Sequence, residues 1–262
     1  MSDKADRVDR ARLDHRRVSL SNAFNFRDLG GVRAGASGRV RRGKAFRSDG
    51  LHRVDERDVA ALTALGIGDV FDLRSAAELA RDGIGEFAGQ RAHHHHCPLV
   101  KISLSPFDPD IDWQTVNFRD RYLEMLDEGG AAVLAIFHAL AAPSAKPLVF
   151  HCSGGKDRTG VVAALIQRTL GVSDDVILDD YAASEGLLQA AANGVQSRLD
   201  ALGLSSSAIA YLTSSPPDRM RYTLDELDRR WGSTTAYLRW AGVTKEIEDG
   251  VRRNLVEAAG AA

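Results

Sequence analysis

Two side chains in this sequence are spaced for work on a tetrahedral anion. They are Cys152 and Arg158, with Ser153, Gly154, Gly155, Lys156 and Asp157 between them. A thiolate is a strong nucleophile, and a guanidinium is a planar fork that grips two oxygens of one phosphate. A loop of this length can circle such an anion with backbone N–H groups, and the glycine pair permits the unusual φ angles and close approach that a cradle requires. The flanks support that geometry. Pro147-Leu148-Val149-Phe150 reads as a buried strand, and the apolar run from Thr159 to Leu170 reads as a helix stopped at Gly171. The cysteine thus ends a strand and the arginine stands at a helix mouth, where backbone donors and the helix dipole favour an anion and favour thiolate over thiol. An ionised sulfur beneath a phosphate held in line is ready for phosphoryl transfer.

Rival readings of the same loop fit less well. A Walker-type loop needs Gly at position 150, which is Phe, and Ser or Thr after Lys156, which is followed by Asp157. A sulfur-carrier loop fits the Arg158-Thr159-Gly160 exit poorly, and a merely structural cysteine leaves three charged neighbours unexplained. The roles follow. Cys152 is the nucleophile and Arg158 the transition-state clamp. Ser153, Gly154, Gly155, Lys156 and Asp157 offer backbone N–H groups. Thr159 either hydrogen-bonds the departing thiolate or caps the helix. The His151 ring orders the loop. The Lys156 ammonium reads a second phosphate or an acidic head group, against the plainer reading of a solvated charge.

These residues need a framework. The 262-residue chain has room for one large domain or two small ones, and its 34 basic and 36 acidic side chains leave no broad nucleic-acid footprint. Two cysteines, Cys97 and Cys152, suit a reducing cytoplasm rather than a disulfide framework. The charged start lacks a signal-peptide apolar core, and no apolar run is long enough to span a bilayer. Residues 1–20 read as an arm, either frayed or a helix needing a partner. The stretch from Phe24 to Ser48 suggests an N-terminal hairpin. Asp55–Leu65 reads as a helix, "GDVFDLRS" as a strand, and "RAHHHHCPL" as a strand ending at Pro98. Asp112–Asp127 and Ala131–Ala142 read as helices, and nearly everything after Gly171 as helical. Alternating strands and helices imply an α/β core with a mostly parallel sheet. Asp72 and Arg74 end a strand and border the site or form a structural tie. Arg27-Asp28 and Arg47-Ser48 fix the N-terminal hairpin to the core. His93–His96 are expected as imidazoles on an edge strand, and no Cys/His spacing elsewhere supports zinc.

The Cys-x5-Arg loop has the signature of the cysteine-dependent phosphatases. With "NFRDLGG", "FRSDGL", "LGIGDVFDLRSAAEL", "HCSGGKDRTG" and "GSTTAYLRWAGV" in order, the chain resembles the atypical bacterial protein-tyrosine/phosphoinositide phosphatases. The resemblance runs through almost the whole chain and implies one catalytic domain over residues 21–262. It implies a cysteinyl-phosphate intermediate without cofactor or metal, and phosphorylated protein or phosphoinositide as substrate. It also implies a helical lid within Asp174–Pro217. One departure stands out. The family commonly carries an Asp shortly after the proline that ends the "RAHHHHCPL" strand, whereas Pro98 is followed by Leu99, Val100 and Lys101. Lys101 borders the site on this reading. The proton donor is then Asp157, or one of Asp108, Asp110 and Asp112.

Overall fold

The computed structural model describes residues 14–101, 117–194 and 213–258, with residue 209. In chain order the elements are β1 (Arg27–Asp28), β2 (Arg33–Ala34), β3 (Gly38–Val40), β4 (Ala45–Ser48), α1 (Glu56–Ala64), β5 (Asp69–Asp72), α2 (Ala76–Asp82), α3 (Gly85–Gln90), β6 (His93–His96), α4 (Phe118–Glu128), α5 (Gly130–Ala141), β7 (Leu148–His151), α6 (Asp157–Thr169), α7 (Asp174–Gly194), α8 (Pro217–Trp231), α9 (Thr234–Trp240), α10 (Lys245–Leu255) and β8 (Val256–Ala258). The main sheet has the order β1-β4-β7-β5-β6, parallel except for β1. Helices cover it, which is the expected α/β architecture. The central strand β7 reads Leu-Val-Phe-His and is buried throughout, as a parallel strand covered on both faces should be.

Strand alternation divides the interior in two. Ala45, Phe71, Leu148 and Phe150 face one apolar cluster with α4, α5 and α6, while Phe46, Val70 and Val149 face another containing Phe26, Leu62 and Phe87. Truncating a fully buried ring such as Phe150 would cost about 3–5 kcal/mol. Helix α6 lies between the sheet and the C-terminal helices, so most of its length is buried and it lacks a polar face.

Several expectations are corrected. The N-terminal stretch is not one hairpin. β1 joins β4 in the main sheet, while β2 and β3 pair with each other and with β8 in a second sheet. Strand β8 interrupts the expected all-helical C-terminal third, because an exposed Val-Glu-Ala segment borrows its ladder from β3. The expected Asp112–Asp127 helix starts at Phe118 with Asn117 as its cap, its first part lying outside the described residues. Of the arm over residues 1–20, the described part from Asp14 includes Arg16, which is buried against Asp180. The His93–His96 strand is indeed an edge strand, with His95 stacked on Phe71 and bonded to Asp69.

Candidate active site

The loop leaves β7 at Cys152 and enters α6 at Asp157. Its backbone carbonyls are held in succession, those of Ser153, Gly154 and Gly155 from other segments and that of Lys156 by the first turn of α6. The carbonyl of Cys152 faces His151 Nδ1 at 3.3 Å, that of Ser153 accepts from Gly50 N at 3.1 Å, and that of Gly154 from Asn25 Nδ2 at 2.9 Å. The Gly155 carbonyl accepts from Arg47 Nη2 at 2.7 Å, and the Lys156 carbonyl from Gly160 N at 2.8 Å. In a planar trans peptide the N–H points opposite the C=O. Anchoring five successive carbonyls outward therefore turns the N–H groups of Ser153, Gly154, Gly155, Lys156 and Asp157 toward the inner side of the loop. Gly155 is required twice over: its φ is +66°, and a Cβ there would lie 2.5 Å from the backbone of Ser48 and Asp49.

Cys152 and Arg158 are both 2% exposed. Arg158 is clamped by Glu78, with Nη1 to Oε2 at 2.5 Å and Nη2 to Oε1 at 2.9 Å, and Ser153 Oγ donates to the same carboxylate at 2.5 Å. Glu78 is itself fixed by a capping box with Ser75 at the start of α2. Burial pushes the Glu78 carboxyl up, but hydrogen bonds and charge from Arg158 outweigh it and hold the group at about 2. Burial likewise opposes the Arg158 charge, and the bonds to Glu78 and the neighbouring Cys152 raise it above its ordinary value. Thr159 is fully buried, and its hydroxyl has no hydrogen-bond partner among the described residues.

The remaining expected site residues divide. Asp157 accepts from Tyr122 Oη at 2.5 Å and lies 3.4 Å from Lys156 Nζ. The Lys156 side chain is turned away from solvent. It is 2% exposed, donates to the Ser214 carbonyl at 2.9 Å, and sits 5.1 Å from the Phe118 ring centre. Burial lowers its pKa, against the pull of Asp157. The plainer reading of a solvated charge is therefore corrected: a buried cation needs partners, and Asp157 and the Ser214 carbonyl supply them. Asp72 and Arg74 are tied to each other. Arg74 donates to Asp72 from Nε and Nη2 and from its backbone, and His151 Nε2 stands 3.9 Å from Asp72. Lys101 is exposed, and its backbone N–H donates to Glu128 on α4. Asp108, Asp110 and Asp112 lie outside the described residues.

Sequence reasoning missed Glu78, Asp180 and Tyr122. The Ser75-x-x-Glu78 pattern announces a helix start, but not that the same carboxylate reaches Arg158 across 80 positions. Asp180 on α7 is fully buried among Arg16, Arg27 and Arg47, at 2.7, 3.1 and 2.6 Å. Arg27 and Arg47 thus do fix the N-terminal strands to the core, through this carboxylate.

Comparison with known proteins agrees with this geometry. The tyrosine phosphatase family model matches residues 18–257. A protein of Cupriavidus necator with a provisional tyrosine-protein phosphatase designation is 31% identical, covering 85% of this chain and 82% of its own length. The triple specificity protein phosphatase PtpB of Mycobacterium tuberculosis is 29% identical, over 89% of this chain and 96% of its own. A tyrosine-protein phosphatase of Nostoc commune is 28% identical over 76% and 70%. The strand-loop-helix built around Cys152 and Arg158 therefore sits in a chain that belongs to the tyrosine phosphatase family.

Proposed function

We propose that this protein hydrolyses phosphotyrosine through a cysteinyl-phosphate, with residues 21–262 acting as one catalytic domain. The observation that carries the reading is the five-residue cradle between Cys152 and Arg158, its carbonyls tied outward and its arginine fixed by Glu78. Inward N–H groups and Arg158 bind the phosphate oxygens and stabilise their charge as it spreads in the transition state. Cys152 Sγ attacks phosphorus, the S–P bond forms, and the bond from phosphorus to the tyrosyl oxygen breaks. Asp157 gives that oxygen a proton, and Thr159 donates to the sulfur. Water then attacks phosphorus as Asp157 takes up its proton, and the S–P bond breaks to release inorganic phosphate. The triple specificity in the name of the mycobacterial relative supports a range wider than phosphotyrosine, and phosphoserine/threonine and phosphoinositides are the further substrates of this proposal. The buried Lys156 ammonium supports phosphotyrosine as the principal one.

Turnover of p-nitrophenyl phosphate in EDTA, abolished in Cys152→Ser while phosphate binding persists, is the expected result. Acid-quenched wild type should carry a phosphate adduct on Cys152 by mass spectrometry. Substantial turnover by the serine variant would overturn the covalent route.

A further inference from the structure

Two buried phenols, on α7 and α4, lead to the carboxylate of Asp157 by a directed chain of hydrogen bonds. The charge of Arg219 on α8 acts on the Tyr181 phenol on α7. Tyr181 Oη lies 2.7 Å from Tyr122 Oη on α4, and Tyr122 donates to Asp157 Oδ1 at 2.5 Å. A phenol has one proton, and that of Tyr122 goes to Asp157, so Tyr181 is the donor in the bond between the two phenols. Every link therefore donates toward Asp157. Both phenols are buried, and burial first, with Asp157 second, raises them above their ordinary range, so they remain neutral donors. Arg219 is held in turn, with its guanidinium 4.1 Å over the Phe118 ring centre and donating to the Ser214 carbonyl at 3.1 Å.

The chain treats the two oxygens of Asp157 unequally. Tyr122 and the Lys156 ammonium both approach Oδ1. The other charged groups facing Asp157 are Arg158 beside it and Arg219 behind the phenols. We propose that Tyr122, backed by Tyr181 and Arg219, is a positioning residue that divides the work of Asp157: Oδ1 is the anchored acceptor, and Oδ2 carries the proton delivered to the leaving oxygen. The inference rests on the reading of Asp157 as proton donor. Without the anchor, the carboxyl turns freely about a soft terminal torsion and either oxygen can hold the proton, so fewer encounters are productive.

The test is a leaving-group comparison. Tyr122→Phe keeps the ring and removes the hydroxyl. It should lower kcat on phosphotyrosine about tenfold and on p-nitrophenyl phosphate, whose leaving group needs little protonation, less than about twofold, with KM unchanged for both. Tyr181→Phe should give a smaller loss with the same selectivity, and it carries the test should Tyr122→Phe fail to fold. Adding Tyr122→Phe to Asp157→Asn should produce no further selectivity. If Asp157→Asn slows both substrates equally, the donor reading itself fails. If Asp157→Asn is selective but the tyrosine variants slow both substrates equally or neither, Tyr122 only fills the core and the positioning role is overturned.

Discussion

Two fully buried carboxylates hold the loop, and they do so differently. Glu78 meets one cation. Its oxygens accept twice from Arg158, once from Ser153 Oγ and once from Ser75 N, which fills their capacity. Asp180 meets three guanidiniums, from Arg16, Arg27 and Arg47. It is outnumbered, and the donors it does not absorb reach elsewhere: Arg47 to the Gly155 carbonyl, Arg27 to the Asn25 side-chain oxygen, and Asn25 onward to the Gly154 carbonyl. The reactive side chain is thus held by a one-to-one pair, and the cradle backbone by an excess of donors. A matched pair fixes a single group in place. An unmatched one leaves N–H groups available to orient peptides.

The two arrangements should fail differently. Glu78→Gln leaves Arg158 buried without its counter-charge, and losing one partner of such a pair costs about 3–5 kcal/mol. Because the mispaired guanidinium is the one that meets the transition state, kcat/KM for p-nitrophenyl phosphate should fall about 10²-fold or more. Near-wild-type kinetics in this variant would break the claim that Glu78 readies Arg158. Arg47→Met is expected to be milder. Asp180 keeps Arg16 and Arg27, so no charge is stranded, and the Gly155 carbonyl loses a donor at about 1–3 kcal/mol. The inhibition constant for inorganic phosphate should rise about tenfold, because the Gly155–Lys156 peptide of the cradle loses the donor that orients it. Greater destabilisation by Arg47→Met than by Glu78→Gln, read as a Tm shift, would reverse the comparison.

The contrast also marks what the sequence made legible. The loop, its strand and its helix were readable because Cys152, the glycines and Arg158 act through local spacing, and the alternation of apolar runs sufficed for the parallel sheet. Long-range partners were not readable. Asp180 lies in a helix that reads as a generic acidic-apolar mixture, and its three arginines lie more than 130 positions away. Glu78 has a visible local duty as a capping residue, and that duty conceals the distant one. Lys156 misleads for a related reason. A lysine in a glycine loop reads as solvent-facing until Ser214 and Phe118 are brought over it.

The smallest expected effect concerns acid, and it sharpens the comparison by asking which buried group around the loop gives way first. Glu78 is held at about 2 against an ordinary 4.5. A depressed folded value means a stabilisation present above 4.5 and lost only as pH falls through about 2. Asp180 is held lower still by its three arginines, which outweigh its burial. Neither carboxylate should therefore yield in mildly acidic solution. His151 is different. Burial, opposed by Asp72 and reinforced by Arg74, pushes its imidazole down from 6.5 to about 4. Its neutral ring places Nδ1 on the Cys152 carbonyl and leaves Nε2 unpartnered among the described residues. The unfolded chain binds a proton below 6.5 that the folded chain refuses until about 4, so this stabilisation is present above 6.5 and lost as pH falls through that window. His52 is lowered to about 4 by burial and Arg53 and adds to the same trend, so the informative quantity is a difference between variants. Between about pH 7 and pH 5, wild-type Tm should fall, and the fall should be a few degrees smaller in His151→Gln. Parallel Tm curves for the two proteins would remove His151 as the acid-sensitive support of the loop. A wild-type curve that stays flat to pH 4.5 and then drops would move that weakness onto Glu78.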